Sequence, residues 1–244
     1  MLAKLWGQSY IDVTMLRQAA RVTNHHDLRQ QSRELQRRNI LETASRMLSE
    51  QGSQALTVRA VAEQLGCSTS VIYTMFGDKN GLAEALYLEG FDRLASAFAS
   101  ISNDLDPFAY LLELGIQYRR VALEHPHFYG LMFGQALPDF TPSADTILKA
   151  NQTFETMVNA VQRCIDAGVF QSLDARACAG ALWVVSHGTV SLEQAKHFSP
   201  KEGHNLFGFA CQSIVGNWLI EKPAAPKIVL PKTSPQRKAT KTKS

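Results

Sequence analysis

Thr69, Ser70, Tyr73 and Thr74 fall at i, i+1, i+4 and i+5, so a helix carries all four hydroxyls on one face. Lys79 follows the break at Gly77, on the first turn of the next predicted helix, where free backbone amides also attract anions. Small alcohols, a phenol on a rigid ring and an ammonium are groups that hydrogen-bond phosphate oxygens and base edges. The small ones suit the floor and walls of a major groove. Thr57 and Ser68 each precede an apolar-periodic segment, where their hydroxyls can cap a helix.

Bond-making chemistry is not signalled. Residues 105–221 contain no Gly-x-Ser-x-Gly elbow, no His-Glu-x-x-His and no glycine-rich phosphate loop. His125 and His127 flank Pro126, and His187 and His197 have no cysteine at a zinc-like spacing. Cys67, Cys164, Cys178 and Cys211 form no Cys-x-x-Cys pair, which points to small buried hydrophobes. An oxidant-sensing thiol at Cys67 or Cys164 is the sharper alternative. The expectation is a protein that is not an enzyme and carries no metal or cofactor.

The second half instead offers material for an apolar cavity with a few polar groups. Leu112, Phe128, Met132, Phe133, Phe154 and Trp183 are expected as walls, and Gln117, Tyr118 and His187 as polar contacts. Trp183 and His187 are four apart and share a helix face, and Gly188 permits close approach of another helix.

The elements that hold these groups read as helices throughout. Ile40, Leu41, Ala44, Met47 and Leu48 mark one face of a first helix that runs from Arg33 and stops at Gly52. Val58, Val61, Ala62 and Leu65 make a short second helix ended by Gly66, and Ser68 opens a third through Phe76. Asp78 opens a long one to near Ser100. Pro107, Pro126, Pro142, Asp174 and Pro200 open the rest, the last of them ending at Glu221. Sustained period-two alternation is missing, so the expected fold is all-α, with about nine helices.

Charge is arranged unevenly. Residues 1–39 carry seven Lys or Arg against three acids, and residues 222–244 carry seven and no acid. The net charge of +3 therefore hides an acidic body between two basic ends, a distribution that suits phosphate contact. The 244 residues, 45% hydrophobic and 19% charged, suffice for one large domain or two smaller ones, and no apolar run is long enough to span a bilayer. The start of the chain shows no signal-peptide pattern, so a cytoplasmic location is expected.

Two short helices joined by Gly66-Cys67-Ser68 have the form of a helix-turn-helix. The series Thr57-Val58-Arg59-Ala60-Val61-Ala62, Gly66-Cys67-Ser68, Ile72-Tyr73, Phe76 and Lys79-Asn80-Gly81-Leu82 resembles the TetR family of bacterial repressors over about residues 40–86. Trp183-x-x-x-His187-Gly188, with Glu124-His125-Pro126 and Leu131-Met132-Phe133 upstream, resembles one C-terminal subfamily. The resemblance implies DNA contacts at Thr57, Val58, Arg59, Ser68, Thr69, Ser70, Tyr73, Thr74 and Lys79. Met75 departs from the family pattern, in which an aromatic or polar residue is common at that position. Arg38, with Arg29, Arg33 and Arg37, is expected either to reach an adjacent groove from the basic arm or to form a solvated first turn of the first helix.

The expected organisation is a flexible basic arm (1–32), a helix-turn-helix domain (33–82), a ligand-binding and dimerisation domain (83–221) and a disordered basic tail (222–244). The last two helices are apolar on more than one face, which implies pairing with a second copy through Ala181, Val185, Phe207, Ile214 and Trp218. The partners expected are a palindromic double-stranded operator, a small apolar inducer and a second copy of the chain, and no membrane. A ligand-independent dimeric DNA-binding regulator is the alternative. An enzyme with a regulatory head is the alternative of another class.

Overall fold

The computed structural model describes residues 13–133 and 140–220, with residues 13–25 as backbone only. Among these residues the fold is all-α, with nine α-helices: α1 Val13–Gln51, α2 Val58–Gln64, α3 Thr69–Phe76, α4 Lys79–Ala99, α5 Pro107–Glu124, α6 Pro126–Phe133, α7 Ala144–Asp166, α8 Ala175–Gln194 and α9 Pro200–Val215. A single 3-10 turn, Ser53–Ala55, follows α1.

Most helix starts are set by the short polar residues in front of them. Thr57 Oγ1 accepts from the Ala60 amide at 3.1 Å, and Ser68 Oγ from the Ser70 amide at 3.2 Å. Asp78, Asp106 and Asp174 cap α4, α5 and α8 in the same way, and Ser199 with Glu202 forms a reciprocal capping box on α9. Each such cap contributes about 1 kcal/mol. Gly66 takes φ 63°, a left-handed conformation that closes the turn between α2 and α3 without strain.

Two boundaries differ from expectation. α1 is already helical at Val13, the first described residue, and not only from near Arg33, so residues 13–32, read as part of a flexible arm, are helical. The segment has no apolar stripe, but neither Gly nor Pro interrupts 13–51, and its Arg, Gln, Leu and Ala favour helix. α9 stops at Val215, short of Glu221. The chain then turns, and Gln171 and Trp218 are tied by a 2.8 Å backbone hydrogen bond beside a Phe170–Leu219 bridge. The apolar residues after Val215 are thus used against the α7–α8 connection. Pro142 precedes α7 without entering it, and Ser143 is the cap. The expectations for 1–12 and for the tail at 222–244 lie outside the described residues.

Two cores divide the chain. Ile40, Leu41, Leu56, Val61, Ile72 and Leu82 pack α1 to α4 into the head. Phe91, Leu114, Val161, Phe170 and Val190 belong to the second core, which joins α4 to the later helices as the body. α4 and α6 each contribute to both, and this joins the two cores mechanically.

Candidate nucleic-acid interface and ligand cavity

On α3, Ile72 and Phe76 face the head core, which turns Ser70, Tyr73 and Thr74 outward. Tyr73 is 52% exposed. Thr69 is half-buried at the start of the helix. Ser68 and Ser70 hydroxyls meet at 2.9 Å, and Thr74 Oγ1 donates to the Ser70 carbonyl at 2.7 Å, leaving oxygen lone pairs outward. Thr57, Arg59, Lys79 and Arg38 are also exposed. Val58 is not available: its side chain is 7% exposed in the head core, so only its amide, at the α2 N-terminus, can meet a phosphate. The Arg37 side chain is 40% exposed and lies 3.5 Å from Glu89 and over the Phe76 ring.

The body holds a cavity of about 360 Å³ between α4, α5, α6, α7 and α8. Five of the nine expected ligand residues meet there: Tyr118, Met132, Phe133, Phe154 and Trp183. The wall that sequence reasoning missed comes from α4, as Tyr87, Phe91 and Phe98. Their spacing of four and seven, one helix face, was the available signal. Tyr118, Asn151 and Thr153 supply polar atoms.

The other expected ligand residues lie elsewhere. Phe128 is 2% exposed and packs in the head core beneath Arg93, whose guanidinium sits 4.3 Å from the ring centre. Leu112 is 41% exposed on the outer side of α5. Gln117 is bonded to Glu113 at 2.6 Å and to Arg120 at 2.8 Å, about one turn to either side on its own helix. His187 stands behind the wall: it packs edge-on to Phe133 and meets the Tyr129 hydroxyl at 2.7 Å, while Tyr129 meets Tyr118 at 3.0 Å. Burial pushes both tyrosines up and His187 down, so all three stay neutral and hydrogen-bonded at neutral pH.

Short α6 links the two sites. Phe128 and Leu131 belong to the head core, whereas Tyr129 and Met132 belong to the body core. Met132 closes directly over Gly90 of α4, where an added Cβ would stand 2.5 Å from its Cγ. Arg93, unforeseen in sequence, gathers the junction: it reaches Glu42 of α1 at 2.7 Å, Glu89 at 3.0 Å and His125 Nδ1 at 3.1 Å.

Of the expected dimer residues, Ala181, Val185 and Ile214 are half-buried, but Phe207 is 8% exposed in the body core and Trp218 packs edge-on against Phe170. Val184 is the residue that stands out from α8, at 68% exposure, and nothing approaches the Cβ position of Gly188. Burial pushes the Cys164 thiol up to about 11 and raises Cys178 and Cys211, which makes these three poor thiolates. Among the described residues no three His, Cys, Asp or Glu side chains gather as metal ligands, and no helix is long and apolar enough to cross a membrane.

The comparisons with known proteins agree with this layout. Residues 40–86 match the family model for bacterial regulatory proteins of the tetR family, and residues 111–214 match the tetracyclin repressor-like C-terminal domain. The fold is similar to the TetR family transcriptional regulator PfmR from Thermus thermophilus, at 22% identity over 72% of this chain and 97% of that one, with a TM-score of 0.60. It is similar to a bacterial regulatory protein in the tetR family from Rhodococcus RHA1, at 19% identity over 73% and 96%, TM-score 0.60. A protein from Saccharomonospora viridis solved in complex with choline matches at 20% identity over 77% and 100%, TM-score 0.58. Among curated proteins no sequence relative matches. With both characteristic domains present in order, the chain belongs to the TetR family and is a DNA-binding transcriptional regulator.

Proposed function

We propose that the protein is a repressor that grips a palindromic operator as a homodimer and lets go when a small, largely apolar ligand fills the body cavity. The observation that carries this reading is the double membership of α6. A ligand that pushes Met132 or Phe133 moves the same eight-residue helix that inserts Phe128 and Leu131 under the DNA head. Ligand then favours whichever head placement tolerates the moved α6, and release follows if that placement no longer fits the operator. The volume of about 360 Å³ lies in the range of small-molecule sites. The Saccharomonospora relative, solved with choline, supports a small-molecule role for a body of this fold.

On the DNA side, Tyr73, Thr57 and Lys79 take phosphates, Ser68, Thr69, Ser70 and Thr74 face bases or backbone, and Arg59 and Arg38 add positive charge at the edges. The head is read as 33–82 and the body as 83–221. Dimerisation is assigned to the α8 face that bears Ala181, Val184, Val185 and Gly188, joined by Ile214 of α9, in a four-helix arrangement with a second copy. The work is done in the cytoplasm, at the nucleoid.

The test is selection from a pool of random duplexes at stated salt, followed by titration of the recovered site with candidate ligands. One palindrome with half-sites about one DNA turn apart supports the reading. Retention without sequence preference, vanishing steeply with salt, contradicts it. A ligand that binds the body yet leaves operator affinity unchanged contradicts release alone.

A further inference from the structure

Met157 lines two cavities. It is 5% exposed, near the middle of α7, and it borders both the aromatic cavity and a second one of about 250 Å³ between α5, α8 and α9. The walls differ in kind. The first chamber is built largely of rings, among them Tyr87, Phe91, Phe133, Phe154 and Trp183. The second has one phenyl ring, Phe207, beside the aliphatic Leu111, Leu112, Ile116, Leu182 and Val215, with Ser186, His204 and Gln212 as polar side chains. One turn of α8 serves both, since Leu182 borders the second chamber and Trp183 the first.

We propose that the two cavities form one binding site divided by Met157, and that its ligand is elongated: a compact ring in the aromatic chamber and an unbranched alkyl tail that passes Met157 into the aliphatic annex. The inference rests on the reading of the first cavity as the ligand site. Ring-on-ring contacts favour an aromatic head among the phenyl and indole walls, where Tyr118, Asn151 and Thr153 offer hydrogen bonds. The annex offers a methylene chain the aliphatic side chains of α5, α8 and α9 to lie against, with its polar side chains, Ser186, His204 and Gln212, beside them. Methionine suits the partition because its unbranched, three-torsion side chain swings aside at little cost. Leu112 and Ile116, 41% and 54% exposed, form the outer rim, so the annex leads towards the surface and accepts tails of graded length.

The experiment is calorimetric titration of the full chain with 4-n-alkylphenols from methyl to nonyl. Affinity should rise about fourfold per methylene, the gain of one buried CH₂, and keep rising beyond the length that fills the first chamber. Met157→Phe places a stiff ring at the partition, so the nonyl compound should lose at least about tenfold relative to the methyl compound, a loss of roughly two methylenes, whatever the variant does to the short compounds. Gly208→Leu fills the annex from α9, where an added Cβ meets nothing within 4 Å, and should shorten the series independently of the partition. The proposal is overturned if the wild-type series levels off where Met157→Phe does, or if both variants weaken all lengths equally. It is overturned too if Gly208→Leu changes only the dimer's sedimentation, which would make the annex a seat for a second copy. Failure of every alkylphenol to bind would overturn the ligand reading of the first cavity as well, whereas a plateau leaves that reading standing.

Discussion

The Tyr129 hydroxyl stands 2.7 Å from His187 Nδ1 and 3.0 Å from the Tyr118 hydroxyl, tying α5, α6 and α8 through three buried or half-buried side chains. In the neutral tautomer whose Nδ1 accepts from Tyr129, Tyr118 is left to donate to Tyr129. The chain fixes α6 from the cavity side while Phe128 fixes it from the head side.

Tyr129→Phe keeps the ring and removes the shared atom. Two polar groups are left without their partner, which costs about 1 to 3 kcal/mol. Urea melts should show that loss, with operator affinity in the absence of ligand changed little because the head core is untouched. The ligand concentration needed for release should shift. A stability change under about 0.5 kcal/mol would mean that the hydrogen-bonded chain contributes nothing.

Stability should fall as pH drops below about 6.5. His125 is held below its ordinary value by burial first and by Arg93 next, with Glu42 and Glu124 opposing and Arg120 adding; burial also lowers His187. A depressed folded value means that the unfolded chain takes the proton first. The contribution is complete above the ordinary value of 6.5 and is lost as pH falls from there through the folded values. His125→Asn, whose amide oxygen can accept from Arg93 at the position of Nδ1, should flatten part of the slope between pH 7 and 5. An unchanged profile in that variant would remove His125 from the account.

Local signals were legible and remote ones were not. The head could be read from Thr57, Gly66, Ser68, Gly77 and the apolar residues between them, because caps, turns and periodicity act within a few residues. The cavity was read in part: Trp183, Phe133 and Met132 were found, but Phe128, one turn from the latter two on the same short helix, points to the head instead. A helix apolar all round does not say which face meets which core. Arg93 and Met157 carried no signal, since their importance comes from partners far along the chain, such as Glu42 for Arg93. Residues 13–32 of α1 carry no amphipathic stripe, so propensity alone gave no periodic pattern by which to bound a helix there.

Breaking the buried ion pair of the body should be costly. Arg119 grips Glu193 with two hydrogen bonds, Nε to Oε2 at 3.1 Å and Nη2 to Oε1 at 2.6 Å, and the Glu193 side chain is only 5% exposed. Arg119→Met leaves a buried carboxylate alone and should cost about 3 to 5 kcal/mol in denaturant melts. Arg119→Met with Glu193→Leu should recover most of it, since the penalty comes from the orphaned charge. A double variant no better than the single one would place the loss in packing around α5 and α8.

Tyr73 on α3 and Lys79 at the start of α4 make predictions that separate charge from hydrogen bonding. Lys79 and Tyr73 are both exposed, and neither fills the head core, so Lys79→Gln and Tyr73→Phe should leave stability within about 0.5 kcal/mol. Lys79→Gln removes a cation, so the slope of log affinity against log salt should become shallower by about one per protomer. Tyr73→Phe removes only a neutral hydroxyl. It should weaken operator binding by about fivefold to tenfold at fixed salt, the worth of one hydrogen bond near 1 kcal/mol, with the slope unchanged. Anisotropy titrations on the selected operator at several salt concentrations read both quantities from one data set. A slope change in Tyr73→Phe, or none in Lys79→Gln, would show that the helix meets DNA in another orientation, with other side chains on the phosphates.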